Sequence, residues 1–253
     1  MTIIEKIATY FLIYSFLGWC VESIYKSIRQ KKLVNSGFMF GPMCPIYGFG
    51  AIIMYLFLDD LSNKPIITFC LGFVVLSIWE YIVGILLEKI FHTKYWDYSN
   101  NKLNFQGRVC LLNSTFWGIL SVVFIDILNP LVTNILNQID LKVILYIDVI
   151  IYAILAIDII ISIINTFKIT EKLKYVDELN SKIKEKLEEI KNKGRNSEIG
   201  ETLQDALEEL KTKRDILVQK SYNNIIRIKR AFPTMKSEQI TKFLNDKTEF
   251  LKK

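Results

Sequence analysis

The sequence contains little that could bind a metal, with one histidine, His92, and four cysteines among 253 residues. A single histidine excludes a multi-histidine metal site. The cysteines follow no metal-binding spacing and lie within or beside apolar runs, where a thiol behaves as a small apolar side chain. They are Cys20, Cys44, Cys70 and Cys110. The sequence therefore predicts no metal site and no cofactor.

Nucleotide-binding and catalytic signatures are also lacking. The sequence has no GxxxxGK(S/T) phosphate loop, no GxSxG nucleophile motif and no HExxH zinc motif. We therefore expect no catalytic residue in this chain, and any ATP-driven step would need a separate subunit. Nucleic-acid binding is not expected either, because the basic residues are mixed with acidic ones and no recognition motif accompanies them.

Long apolar runs occupy residues 1–167, the first predicted domain, whereas residues 168–253 are rich in lysine and glutamate. A membrane-spanning helix needs about 20 mostly apolar residues. Five runs meet or approach that length: residues 4–25, 43–58, 66–90, 109–128 and 143–167. The second run is short, and the turn at residues 41–45 would extend it as irregular backbone. The sequence predicts an all-α, polytopic membrane protein with five transmembrane helices.

Basic residues set the predicted orientation, since cytoplasmic loops carry an excess of lysine and arginine. The first and third loops are basic, and the second and fourth are mainly acidic. The basic residues are Lys26, Arg29, Lys31, Lys32, Lys89, Lys94, Lys102 and Arg108, and the acidic ones are Asp59, Asp60, Asp126 and Asp140. We expect the N-terminus outside, and loops one and three and the C-terminus inside.

Residues 168–253 form the second predicted domain, a cytoplasmic amphipathic tail. It holds 21 lysines and arginines against 15 acids, whereas residues 1–167 hold 11 of each, so the net charge of +6 lies in the tail. Apolar residues recur at three-and-four spacing on both sides of a break at 194–197, which predicts a helical hairpin or a coiled coil with another subunit. Phe232 and Pro233 end the second helix, and a last helix is expected from Ser237 onward.

The stretch from Gly18 to Gly50 is partly repeated 66 residues later. Four pairs of positions coincide: Gly18 with Gly84, Glu22 with Glu88, Gly41 with Gly107 and Cys44 with Cys110. The match suggests a parallel internal repeat over about residues 12–60 and 78–128. A chance match between apolar segments is the alternative.

Charged side chains inside a bilayer are costly, so each is a candidate site residue. Glu80 lies within the third apolar run. It is either a functional residue, which binds a proton, a cation or a substrate, or a packing residue held by hydrogen bonds. Glu22 and Glu88 stand at helix exits, where they are either interfacial charges or members of the same site. Arg108 is the expected cationic partner, because a guanidinium can bridge carboxylates or bind a phosphate bidentately.

The third loop adds three candidates. Trp96 and Tyr98 suit the headgroup zone of a membrane, where amphipathic rings collect. Asp97 could bind a neighbouring cation or a ligand. Two further acids, Asp148 and Asp158, lie in the fifth run, and the sequence names no partner for them beyond hydrogen bonds between helices.

Four segments carry a family resemblance: FLGWCVESIYKSI, GFMFGPMCPIYGFGA, WEYIVGILLEKIFHTKYWDYS and FQGRVCLLNSTFWG. Over roughly residues 12–120 the chain resembles a family of bacterial membrane proteins described as ABC-transporter type IV permeases. The matching positions are Gly18, Trp19, Glu22, Asn35, Gly37, Gly41, Pro42, Pro45, Tyr47, Gly48, Glu80, Glu88, Trp96, Asp97, Tyr98, Gly107, Arg108 and Trp117. Of these, the predicted binding residues are Glu22, Glu80, Glu88, Arg108, Asn35, Trp96, Asp97 and Tyr98, and the predicted turn residues are Gly41, Pro42, Pro45, Gly48 and Gly107.

The resemblance implies a permease-like transport component of a bacterial plasma membrane, with no settled substrate. The expected partners are the lipid bilayer, a separate ATPase subunit and a second copy of the chain. Two alternatives stay open. One is a membrane-embedded protein or enzyme that binds a lipid headgroup at the same acids, and the other is a sensor or scaffold that acts through the helical tail.

Overall fold

The structure, a computed structural model, describes residues 1–193, 198–237 and 240. In chain order its elements are α1 (Ile3–Gln30), α2 (Pro45–Leu58), a 3₁₀ turn (Asp59–Leu61), α3 (Pro65–Phe91), β1 (Asn104–Phe105), β2 (Val109–Cys110), α4 (Leu111–Val123), a π-helical turn (Phe124–Leu128), α5 (Asn129–Leu136), α6 (Leu141–Lys193) and α7 (Glu198–Ala231). The two strands form a short antiparallel hairpin in the third loop. The predicted break at 194–197 and most of the predicted last helix lie outside the described residues.

The described residues divide into two compact units. The first contains Met1–Ser162 together with a later segment, Lys229–Lys236, which we call the return segment. The second contains Ile163–Ile228, and its two helical stretches pack together through an apolar cluster of Ile183, Ile190, Leu203, Leu207 and Leu210. These residues come from the stripes that predict a hairpin, so the stripes meet within one chain.

Four helical stretches in the described part of the chain are long and apolar enough to cross a membrane: Ile3–Gln30, Pro65–Phe91, Leu111–Leu136 and Leu141–Ile190. The all-α prediction and four of the five predicted spans are confirmed at that level. The remaining one, α2, has 14 residues. At 1.5 Å per residue it is about 21 Å long, short of the roughly 30 Å hydrocarbon core. The five-span count and the orientation of the termini stay predictions.

The segment that precedes α2 runs back along α1. The N–H of Val34 donates to Ser27 Oγ at 3.0 Å, and the N–H of Ser36 donates to Ser23 Oγ at 3.1 Å. The N–H of Cys44 then reaches the Ser15 carbonyl oxygen, in the middle of α1, at 2.9 Å. Irregular backbone survives at such a depth only where protein or water covers it. Here α1 covers one side of the segment, and the buried Met39 packs in an apolar cluster with Leu155 of α6.

Small residues let the paired helices of the first unit approach closely. Gly48 of α2 lies against Ser15 of α1, and an added Cβ at Gly48 would stand only 2.2 Å from Ser15 Oγ. Gly72 of α3 lies against Ser121 of α4 in the same way, with 1.9 Å from an added Cβ to the hydroxyl oxygen. Close packing over small residues is a general way to join helices in membranes.

The fourth apolar run forms a longer helical stretch than the sequence predicts. It continues through a π-helical turn to Leu136 instead of ending near residue 128. Pro130 explains the turn, because proline removes a helical N–H and its ring collides with the carbonyl four residues earlier. The N–H of Asn129 bonds instead to the Phe124 carbonyl oxygen, five residues back. Asp126, assigned by sequence to the fourth loop, lies in this turn and accepts from the N–H of Asn63 at 3.2 Å.

Candidate functional site

Glu80 of α3 is buried, with 5% of its surface exposed. Its carboxylate accepts hydrogen bonds from the Trp117 indole N–H at 3.0 Å and from the Tyr98 hydroxyl at 3.1 Å. Asn113 hydrogen-bonds to it as well. Among the residues that the structure describes, no lysine or arginine contacts this carboxylate. The donors described for the Glu80 carboxylate are therefore all uncharged side chains.

Glu22 of α1 stands in a different environment. Its carboxylate lies 2.7 Å from Lys26 Nζ, one helical turn later, and accepts from the Cys44 thiol at 3.6 Å. Lys26 also donates to Ser36 Oγ at 2.9 Å and to the Ala231 carbonyl oxygen. An ammonium group has three protons to donate, so these three acceptors use all of them. Lys26 thus links the end of α1 to the first loop and to Ala231.

Tyr47 connects these two acids. It packs against Gly18 of α1, where an added Cβ would lie 2.3 Å from the Tyr47 side chain. Its ring centroid lies 5.6 Å from that of Trp117, the donor to Glu80. The N–H of Tyr47 also donates to the carbonyl oxygen of Cys44 at 3.0 Å, and the Cys44 thiol is the donor to Glu22. The first helix–loop–helix unit, α1 to α2, thus supplies Glu22, and the second, α3 to α4, supplies Glu80. We call these two acids and the residues that bind them the polar cluster.

Among the acids that the structure describes, Arg108 pairs with Glu88 and not, as the sequence suggests, with both acids of α3. Its Nη2 and Nε atoms lie 2.6 and 3.1 Å from Glu88 Oε2. The guanidinium also donates to the side chain of Gln106, and its carbon lies 5.9 Å from the centre of the Tyr81 ring. Because Glu88 already balances its charge, Arg108 is not available to neutralise Glu80.

The third loop holds its predicted residues by specific bonds. The Trp96 indole N–H donates to the Arg108 carbonyl oxygen at 2.9 Å. Burial raises the pKa of the Tyr98 hydroxyl far above its ordinary value, and the adjacent Glu80 carboxylate raises it further, so Tyr98 remains a hydrogen-bond donor. Gly107 adopts φ +66°, and an added Cβ would stand 2.2 Å from Asp97 Oδ1. Glycine fits this place because it tolerates positive φ and has no side chain.

Asp97 is the charged centre of this loop. Its carboxylate accepts from Lys94 Nζ at 2.6 Å, from Ser99 Oγ at 2.6 Å and from Lys236 of the return segment. Burial alone would raise the pKa of Asp97, but the bonds from Lys236, Lys94 and Ser99 outweigh it and hold the pKa well below its usual range. Asp97 is therefore a carboxylate with two cationic partners, in contrast to Glu80.

The first loop is fixed by Asn35 and by Asp158, an acid to which the sequence assigns no partner. Asn35 accepts from the Trp19 indole and donates to the Phe40 carbonyl oxygen, both at 2.6 Å. Asp158 of α6 accepts from the backbone N–H groups of Phe40 at 3.1 Å and Gly41 at 2.7 Å. It anchors the turn that includes Pro42 and leads to Pro45, the first residue of α2.

The sequence does not indicate several of the contacts in and around the site. Asn113 and Ser36 are ordinary polar residues whose roles depend on partners distant in sequence. Asp148 bonds to Thr9 Oγ1 at 2.6 Å, across 139 residues. The sequence does not predict the return segment either, although Pro233, two residues after the end of α7, signals a change of chain direction. In the described residues, no group of three histidines, cysteines or acids is placed to hold a metal ion.

A comparison of the sequence with known protein families identifies a match. A family model described as "Putative ABC-transporter type IV" matches residues 9–163. The chain belongs to this family. No curated protein and no solved structure matches it.

The family region includes both helix–loop–helix units and all the acids of the polar cluster, whereas the hairpin and the return segment follow it. Within that region the helices of the two helix–loop–helix units begin and end in the same way. Each first helix ends at a residue in the left-handed conformation, Lys31 at φ 51° and His92 at φ 50°. Each second helix begins after a cysteine in the N-cap position, Cys44 or Cys110.

Proposed function

We propose that this multi-pass membrane protein is a permease-like transport component, and that Glu22, Glu80 and their partners form its polar site. One observation carries the proposal: the buried Glu80 carboxylate is held by Trp117, Tyr98 and Asn113, all neutral donors. A carboxylate without a cationic partner inside a membrane is expensive to keep unless it takes up a proton or a cation. The site would therefore exchange protons or small cations.

The arrangement of the two helix–loop–helix units supports a pathway for protons or cations. Glu22 and Glu80 come from α1 and α3, the first helices of two units with matching ends, and a parallel repeat is a common plan in transporters. The basic loops would lie on the cytoplasmic side, where basic residues are enriched. A separate ATPase that supplies energy and a second copy that completes the pathway are part of the proposal.

A fluorescence titration tests whether the Glu80 site takes up cations. Trp117 touches the Glu80 carboxylate, so a bound cation should change the tryptophan emission of the detergent-purified protein. The probes are sodium chloride and guanidinium chloride at millimolar concentration, with choline chloride keeping the ionic strength constant, and a parallel titration with acid. We expect a saturable change in the wild type and none in Glu80→Gln.

The matched control is Asp148→Asn, which removes another buried carboxyl group that bonds to Thr9 outside the polar cluster. It should respond as the wild type does. An equal response in Glu80→Gln would remove Glu80 from the site. A wild type that responds to neither probe nor to acid would contradict proton or cation exchange.

A lipid-headgroup binder is the second candidate, and exposed basic residues around the first loop favour it. Arg29, Lys31 and Lys32 are all exposed at the end of α1. Each basic residue near an anionic membrane contributes about 1 kcal/mol of attraction. Mass spectrometry of lipids that co-purify with the protein tests it. Replacing the three residues with glutamine should remove bound anionic lipid, and an unchanged lipid content would reject this candidate.

A further inference from the structure

The return segment, Lys229–Lys236, belongs to the first unit although it follows the hairpin in sequence. Lys236 pairs with Lys94 of the third loop as an antiparallel bridge, with N–H to carbonyl distances of 3.1 and 2.9 Å. The N–H of Asp97 donates to Thr234 Oγ1 at 3.3 Å. On the side of the first loop, Gln30 Nε2 donates to the Arg230 carbonyl oxygen at 2.9 Å. The segment therefore contacts both basic loop regions.

A small aromatic cluster lies beneath the segment. The Phe232 ring packs edge-on against Tyr95 of the third loop, at 4.9 Å between centroids. Tyr95 in turn contacts Phe38 of the first loop and Phe91 at the end of α3, each at 5.9 Å. Phe232 thus completes a cluster that joins the two loops, and removing its ring would leave the cluster open on one side.

Two charged residues connect the return segment to the polar cluster. Lys26 binds the Glu22 carboxylate, donates to the Ala231 carbonyl oxygen, and lies 5.1 Å from the centre of the Phe232 ring. Asp97 binds Lys236, and the residue next to Asp97 is Tyr98, which donates to Glu80. Lys26 therefore links Glu22 to the segment, and the neighbouring residues Asp97 and Tyr98 link Glu80 to it.

We propose that the return segment is a strap that closes the loop end of the polar cluster, and that Lys26 and Asp97 couple its release to the state of Glu22 and Glu80. The proposal rests on the function proposed above, since it regulates that same site. If a cation bound at Glu22, it would compete with Lys26, and the loosened Lys26 would weaken its hold on Ala231. A segment held by one backbone bridge and a few side-chain contacts can open without unfolding the helices.

Reactivity of Cys44 tests the strap without any knowledge of the cargo. Cys44 is 3% exposed and its thiol touches Glu22. The probe is a small, water-soluble, cationic thiosulfonate reagent, applied to the full-length protein in detergent, with mass spectrometry giving the modification rate of each cysteine. Phe232→Ala should raise the rate at Cys44 at least tenfold. The control is Phe57→Ala, the same change at an exposed ring of α2, and its rate should equal that of the wild type.

A disulfide supplies the opposite change. Residues that exchange both backbone hydrogen bonds in an antiparallel pair have Cα atoms about 5.5 Å apart, within disulfide range. The double variant Lys94→Cys/Lys236→Cys should therefore oxidise readily, and Cys44 should react at least tenfold more slowly in the oxidised than in the reduced protein. This comparison uses one protein, so it decides the question even if Phe232→Ala fails to fold.

Failure of the disulfide to form would overturn the docking of the segment. Equal Cys44 rates in the oxidised and reduced forms would overturn its role as a closure. Because the reagent reacts without a transported ligand, these outcomes are independent of the Glu80→Gln titration. If the fluorescence titration shows no response at Glu80 while the disulfide slows the reaction of Cys44, the proposed function is rejected and the closure is retained.

Discussion

Five acids of the first unit differ in what stabilises them. Glu22, Glu88 and Asp97 each have a cationic partner. Asp158 has backbone N–H groups, and Glu80 has neutral side chains. A buried charge is costly unless it is paired and hydrogen-bonded. The first four are therefore explained by structure. Asp148 is also held by a neutral donor, Thr9, but it lies outside the polar cluster. Within that cluster, Glu80 is the acid whose described partners leave room for a proton or cation.

The bonds of Asp158 make a prediction about the first loop. Asp158→Asn keeps the size of the side chain but leaves one oxygen to accept from two N–H groups, at a cost of about 1–3 kcal/mol for the unmet group. We expect faster hydrogen exchange at the amides of Phe40 and Gly41, measured by mass spectrometry. Asp60→Asn, at an exposed position, serves as the control. Unchanged exchange in Asp158→Asn would show that Asp158 does not anchor the turn.

The ion pairs of Asp97 predict a pH dependence of stability. Its folded pKa is depressed by Lys94 and Lys236, so its stabilisation is present above the unfolded pKa of about 4 and is lost as the pH falls below it. The Tm of the wild type should exceed that of Asp97→Asn by a constant amount from about pH 7 to pH 5, and the difference should shrink below about pH 4. A difference that shrinks on the alkaline side instead would contradict this account.

At the scale of elements, contact over small residues joins α1 to α2. Gly48→Ala would place a Cβ 2.2 Å from Ser15 Oγ and 2.7 Å from the Phe11 carbonyl oxygen. Overpacking of this kind costs about 1–3 kcal/mol, so thermal unfolding in detergent should show a lower Tm. Gly50→Ala is the matched control in the same helix, because its nearest contact would be 3.7 Å from Leu76. Equal Tm values for both variants would contradict the close approach.

The sequence predicts the helices better than their ends. Apolar length alone identifies α1, α3, α4 and α6, because a run of that kind has few other stable forms in a membrane. The path of the first loop back to Ser15 depends on Ser23, Ser27 and Asp158. These contacts join residues far apart in sequence, and no periodic pattern reports them. The same holds for the site. Its acids stand out by their charge, whereas spacing alone cannot show that Arg108 pairs with Glu88 and not with Glu80.

For the whole molecule, the orientation in the membrane remains a prediction that labelling can test. Lys32 and Asp60 are exposed and flank α2. In right-side-out vesicles, Asp60→Cys should react with a membrane-impermeant maleimide, and Lys32→Cys should react only after permeabilisation. Reaction of both from the same side would mean that the first loop and α2 together do not cross the bilayer, and it would reject the five-span arrangement.

Transport through the Glu80 site is the central claim, and ion flux in proteoliposomes tests it most directly. Purified protein is reconstituted with a trapped pH-sensitive dye for protons and with labelled sodium or guanidinium for cations, alone and with any ATPase that co-purifies. The account predicts flux above that of empty vesicles for the wild type and Asp148→Asn, and flux at the empty-vesicle level for Glu80→Gln. Wild-type flux in Glu80→Gln would contradict it.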